Sequence, residues 1–163
     1  MSAAVGVEQG PGVEQVERVA RIGFAIGAAL VVVGGLVAAV TSPLALAKGS
    51  WLAAYLVLVC GVAQCVLARE GGSKATDAAA GRLRLSLLGW NAGNALVIIG
   101  VLTAMPIVVD VGGIVLLAVL VAALVATRRQ AASARLMLYR IALVLLIVSI
   151  PVGLILTHAR AAA

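Results

Sequence analysis

The sequence predicts an all-α, polytopic integral membrane protein with five transmembrane helices, built as two repeated helical hairpins plus a fifth helix. Three observations predict it. Of the 163 residues, 64% are hydrophobic and only 11% charged, with a mean hydropathy of +1.21; a water-soluble domain is about half apolar and about a quarter charged. The apolar residues gather in five runs, each long enough to cross about 30 Å of hydrocarbon as a helix. Lys and Arg collect on alternate connections between those runs, as the positive-inside rule requires of a membrane protein.

The runs fall at 22–41, 51–68, 86–103, 107–126 and 139–157. They are too long for barrel strands and lack apolar–polar alternation, so helix is the reading that satisfies the backbone in lipid. Asp110 is the one acid inside any of them, and Arg140 stands at the start of the fifth. Pro43 and Pro106 stand at turns, where a missing backbone donor does no harm. So few residues separate Thr103 from Ile107 that the third and fourth helices must form a tight antiparallel hairpin. Residues 1–12, with Gly10-Pro11-Gly12, read as a flexible tail, and 13–163 as one transmembrane domain. Glu14 and Glu17 stand four residues before Arg18 and Arg21, the favoured order for helical pairs. The chain opens with Glu8, Glu14 and Glu17 instead of a positive n-region, so its first apolar run reads as a retained helix.

Ten of the twelve Lys and Arg residues fall on the side of the N-terminus: Arg18, Arg21, Arg69, Lys74, Arg82, Arg84, Arg128, Arg129, Arg135 and Arg140. Lys48 and Arg160 fall opposite. The expected location is therefore the cell (plasma or inner) membrane, with the N-terminus cytoplasmic and the C-terminus outside. The net charge of +6 is explained by attraction to anionic lipid at helix ends, which removes the case for nucleic acid as a partner.

The sequence repeats itself. Ile22-Gly23-Phe24-Ala25-Ile26-Gly27-Ala28-Ala29-Leu30-Val31-Val32-Val33-Gly34 aligns with Leu88-Gly89-Trp90-Asn91-Ala92-Gly93-Asn94-Ala95-Leu96-Val97-Ile98-Ile99-Gly100, and Gly49-Ser50-Trp51-Leu52 then falls opposite Gly112-Gly113-Ile114-Val115. Both units start and finish on the same side, so the repeat is parallel and differs from the inverted repeats of many transporters. Gly23, Gly27 and Gly34 share one helix stripe, and Gly89, Gly93 and Gly100 another. Small residues let backbones approach, and packing is what holds helices together in lipid. The stripes are expected to meet each other or to occupy equivalent positions.

Polar residues inside the runs must find partners. Gln64 is expected at the depth of Asn91 and Asn94, within reach of either amide, as a register-setting contact. Asp110 sits in the first turn of the fourth helix, where negative charge is favoured. Two readings are open there: a proton- or cation-binding spot with His158 and Tyr55, or a wet interfacial carboxylate paired with Lys48 or the C-terminal tail. Cys60 and Cys65, five apart, point away from each other on an α-helix and match no metal or redox spacing. Trp51, Phe24, Trp90 and Tyr139 form a sparse aromatic belt, and Pro151 should bend the fifth helix beside the Ser149 hydroxyl. No catalytic triad, carboxylate pair, phosphate loop or metal cluster is legible. No cofactor or metal is expected, and His158 alone cannot hold a bis-histidine haem.

The stretch Gly49-Ser50-Trp51 and the run Leu87-Leu88-Gly89-Trp90-Asn91-Ala92-Gly93-Asn94 resemble small membrane proteins related to haem–copper oxidase subunit I and the nitric-oxide-response membrane family, over the second to fourth helices. Those families carry ligand histidines inside their helices, and this chain has none there. The resemblance therefore implies a shared helical frame without the metal chemistry. The leading functional expectation is a non-catalytic accessory or assembly protein in the membrane, packing against membrane lipid and against its own copies (a homo-oligomer) or another membrane protein. The alternatives are an oligomeric solute or ion transporter with a path near Asp110, Gln64 and Asn94, and, more remotely, a redox or haem membrane protein.

Overall fold

Five helices account for nearly every residue that the structure, a computed structural model, describes: 11–71, 77–128 and 133–161. They are α1 Pro11–Thr41, α2 Gly49–Gly71, α3 Asp77–Leu102, α4 Pro106–Thr127 and α5 Ala134–Ala161. Each is long and apolar enough to cross a membrane. The protein is all-helical, and no strand occurs among the described residues.

The helices outrun the apolar stretches that announce them. Helix α1 starts at Pro11, so the expected tail loses its last two residues to the helix, and residues 1–10 lie outside the described ones. Proline suits a first helical position because its φ is preset and its absent donor is not missed. Helix α3 starts at Asp77, before the apolar run, and carries Arg82 and Arg84 within it. Arginine and alanine are good helix formers, so a helix continues past the hydrocarbon edge while a hydropathy count stops there.

Both hairpin turns at the end carrying Lys48 close in one way. In the first, Leu46 N donates to Thr41 O at 3.0 Å and Ala45 N to Ser42 O at 3.1 Å; in the second, Met105 N donates to Gly100 O at 2.8 Å and Ala104 N to Val101 O at 3.4 Å. This is the Schellman pattern, and its pivot residues Ala45 and Ala104 have φ of 47° and 55°. Thr41 and Thr103 hydroxyls each donate to the carbonyl one turn back.

Helix α3 is central, touching α1, α2 and α4, while α5 packs on α4. The main core joins Ala63 and Leu67 of α2, Trp90 of α3, Leu116 and Leu120 of α4 and Leu143 of α5. Only 17% of the apolar window is buried in α1 and in α5, against 33–39% in the other three, so α1 and α5 are the flanks.

Helix α2 departs from α geometry. Gly49–Tyr55 and Gln64–Gly71 are α-helical, but Leu56–Ala63 between them is wound as a π-helix. Every fourth residue of an α-helix advances about 40° around the axis, and the wider π turn takes that drift back. Straight rows result. Ala53, Val57, Gly61 and Cys65 face α1; Tyr55, Val59, Ala63 and Leu67 face the main core; Leu56, Cys60, Gln64 and Ala68 are buried between them. Ala54, Leu58, Val62 and Val66 are exposed.

Candidate functional site

The six repeat glycines lie at equivalent positions, each stripe against the second helix of its own hairpin. A Cβ on Gly27 would stand 2.7 Å from Cys65 Sγ and 2.9 Å from Gly61 O; one on Gly34 would stand 2.7 Å from Val57 Cγ2 and 3.0 Å from Ala53 O. On α3, Gly93 approaches Leu116 (2.9 Å) and Gly112 O (3.1 Å), Gly100 approaches Val109 (2.7 Å), and Gly89 approaches Val119 (2.9 Å). A Cβ on Gly23 would stand 3.2 Å from Ala68 Cβ in its own hairpin and, across the hairpins, 2.5 Å from Leu87 Cδ1. Among second-helix glycines, Gly61 is the counterpart of Gly112: the former meets Gly27 O and the latter Gly93 O. Gly49 instead packs on Thr41 and Leu46 at the turn, so the alignment of Gly49 with Gly112 does not hold in space. The first hairpin is longer, which displaces its second helix in register.

The polar side chains pair differently from the sequence expectation. Gln64, fully buried, donates through Nε2 to Gly23 O of α1 at 3.0 Å, and neither asparagine is its partner. The expectation rested on depth alone, and depth does not fix which way a side chain points around its helix; with the π turn, Gln64 faces Gly23 of α1. Asn91 Nδ2 donates to Leu87 O at 2.7 Å and Asn94 Nδ2 to Trp90 O at 2.8 Å, both within α3. Asn94 Oδ1 accepts the Tyr55 hydroxyl at 2.8 Å, and the Tyr55 ring stacks on Trp51 with centroids 5.2 Å apart. Tyr55 therefore joins the asparagine of α3.

Asp110 is half-buried near the start of α4. The side chain of His158 lies outside the described residues. Lys48 reaches the Val101 carbonyl, tying the turn of the first hairpin to the end of α3. Two buried polar atoms, Gln64 Oε1 and Trp90 Nε1, have no hydrogen-bond partner among the described residues. Cys60 and Cys65 are free thiols, and Cys65 Sγ lies 3.6 Å from Phe24 O. Ser149 donates to Leu146 O at 2.9 Å in the turn before Pro151. No group of metal-ligating side chains occurs among the described residues.

The arginine-rich end holds a built polar cluster that the sequence reading missed. Glu70 of α2, its side chain only 13% exposed, takes both a 3.2 Å contact from Arg135 Nε and a 3.3 Å contact from Arg135 Nη2 of α5. Arg140 donates through Nε to Thr127 Oγ1 at 3.1 Å and through Nη2 to Thr127 O, closing α4 onto α5. Between these ties lies a cleft of about 240 Å³, walled by Leu67, Leu83, Ala123, Leu136 and Tyr139, with Arg82 at its edge. Opposite charges on α2 and α5 were its only sequence signal. Spatial nearness of Glu70 and Arg135 cannot be read across that separation.

No family model, curated protein or solved structure matches the chain.

Proposed function

We propose that this chain is a non-catalytic component of the cell membrane, oriented with its N-terminus in the cytoplasm, that associates laterally with another membrane protein or with further copies of itself. The observation that carries this reading is how the interior polar groups are used. Tyr55, Gln64, Asn91 and Asn94 hydrogen-bond to helix backbone or to each other. Such bonds fix helix register and contribute about 0.6 kcal/mol each on average in lipid. The centre is filled by Trp90, Leu116, Leu120 and Leu143. A filled interior leaves the lateral faces as the working surfaces.

The repeat glycines are occupied within the protomer, so a partner would meet the outer sides of α1 or α5, where Val32 is 63% and Leu145 65% exposed. A photo-crosslinking residue at Val32 or Leu145, activated in native membranes, should give a discrete protein adduct from at least one position. Adducts with lipid alone at both positions would reject the reading. Solute flux into vesicles holding the purified chain, abolished by Asp110→Asn, would replace it with the transporter.

A further inference from the structure

The cleft at the arginine-rich end has the chemistry of a lipid site, and we propose that it binds one anionic phospholipid, with the phosphate at Arg82 and the upper part of one acyl chain between α3 and α4. The inference rests on the membrane-spanning reading, and on neither the partner nor the orientation proposed above.

Three features select this ligand. The first is net charge. Glu70 is the carboxylate in the wall, and Arg135 grips it with two contacts. Arg140 stands behind Thr127 and is bonded there to a neutral hydroxyl and carbonyl, so its charge is oriented without being cancelled. Arg82 adds a second cation at the rim. The excess is positive, and a guanidinium fork matches phosphate oxygens.

The second is the direction of the opening. Leu85 on α3 is 72% exposed, and Ala122 and Ala126 on α4 are exposed as well. The cleft therefore opens sideways between helices, and the low alanine wall lets a chain lie against α4. Its depth is that of the last turn of α2 and α4 and the first turns of α3 and α5, where hydrocarbon meets headgroups. Apolar wall and cationic rim are stacked in the order of an amphiphile.

The third is size. A cleft of about 240 Å³ is smaller than the roughly 300–1,000 Å³ pockets that engulf soluble small molecules. A bilayer lipid needs only partial enclosure, because the rest of it stays in the membrane. Basic recesses between spanning helices are suited to anionic headgroups for this reason.

The test uses the full chain purified in mild detergent, with phosphatidylglycerol or phosphatidylcholine added, and native mass spectrometry to count retained lipids. One phosphatidylglycerol per chain should be retained, with about fivefold preference over phosphatidylcholine, as one or so additional cation–lipid contacts would give. Arg82→Gln, at an exposed side chain, should abolish the preference. Ala126→Leu should lower retention of both lipids by filling the wall, with its thermal unfolding compared to the parent to establish that it folds. Equal retention of the two lipids by the parent chain, or an unaltered preference in Arg82→Gln, would overturn the proposal. Displacement of the bound lipid by inorganic phosphate alone would overturn it too, in favour of a soluble anion. Release of the chain from membranes by alkaline carbonate would instead overturn the spanning reading beneath it.

Discussion

At Gly27 the place of a Cβ is already taken on two sides, by the Cys65 sulfur at 2.7 Å and the Gly61 carbonyl oxygen at 2.9 Å. A side chain can rotate away, but a carbonyl inside a helix cannot without moving the helix. Gly27→Leu should therefore destabilise the fold by about 2–3 kcal/mol, the upper range for overpacking, measured by denaturant unfolding in detergent. Gly35 is the control on the same helix: nothing lies within 4 Å of its Cβ position, and Gly35→Leu should stay within about 0.5 kcal/mol of the parent. The opposite sign is expected at Ala45 and Ala104. Their positive φ strains an L-residue by about 1–2 kcal/mol, which glycine relieves, partly offset by the greater freedom of an unfolded glycine. Each alanine-to-glycine change should stabilise by about 0.5–1 kcal/mol in the same measurement. Loss of stability at both would show that the turns are not pivoting where the hydrogen bonds place them.

At the scale of the element, α2 carries the distinctive prediction. With its middle wound as a π-helix, lipid-facing positions recur every fourth residue, at Ala54, Leu58, Val62 and Val66. Single nitroxide labels placed in turn along 53–68, in a Cys60→Ala, Cys65→Ala background, should show oxygen accessibility peaking at 54, 58, 62 and 66. An α-helix throughout would rotate the later peaks onto 61 and 65, which here face α1. This element also marks where sequence reading stops. Five spanning helices were legible because run length and hydropathy are bulk properties that lipid enforces on each helix alone. Gly27 and Gly93 could be read as close-approach positions because their spacing repeats. The partner of Gln64 could not, because it depends on rotation of α2 about its axis, and an assumed 100° per residue misplaces everything beyond Leu56. Lys48 on Val101, Arg140 on Thr127 and Glu70 with Arg135 join residues far apart in sequence or across a connector, and charge alone does not select among many such pairings.

At the scale of the whole molecule, five antiparallel helices put Arg69 of α2, Arg82 and Arg84 of α3, Arg128 after α4, and Arg135 and Arg140 of α5 at the end where α1 begins. Lys48 stands at the other end. Moving a charged side chain through the hydrocarbon centre costs about 2.5–3.5 kcal/mol on insertion scales, and a negative cytoplasmic leaflet draws cations to one face. An asymmetry spread over four helices must be reversed as a unit, so one inserted orientation should dominate, with the arginine-rich end in the cytoplasm. Cysteines at Ser42, in the exposed turn after α1, and at Ala134, at the exposed start of α5, should separate the two sides in the Cys60→Ala, Cys65→Ala background. A membrane-impermeant maleimide added to intact cells should label Ser42→Cys, and should label Ala134→Cys only after permeabilisation. The reverse pattern would invert the topology while leaving the helix packing untouched, because none of the contacts at Gly27, Gln64 or Asn94 depends on which side faces the cell interior. Labelling of both positions in intact cells would mean mixed insertion, and the arginine bias would then have failed to outweigh the turn carrying Lys48.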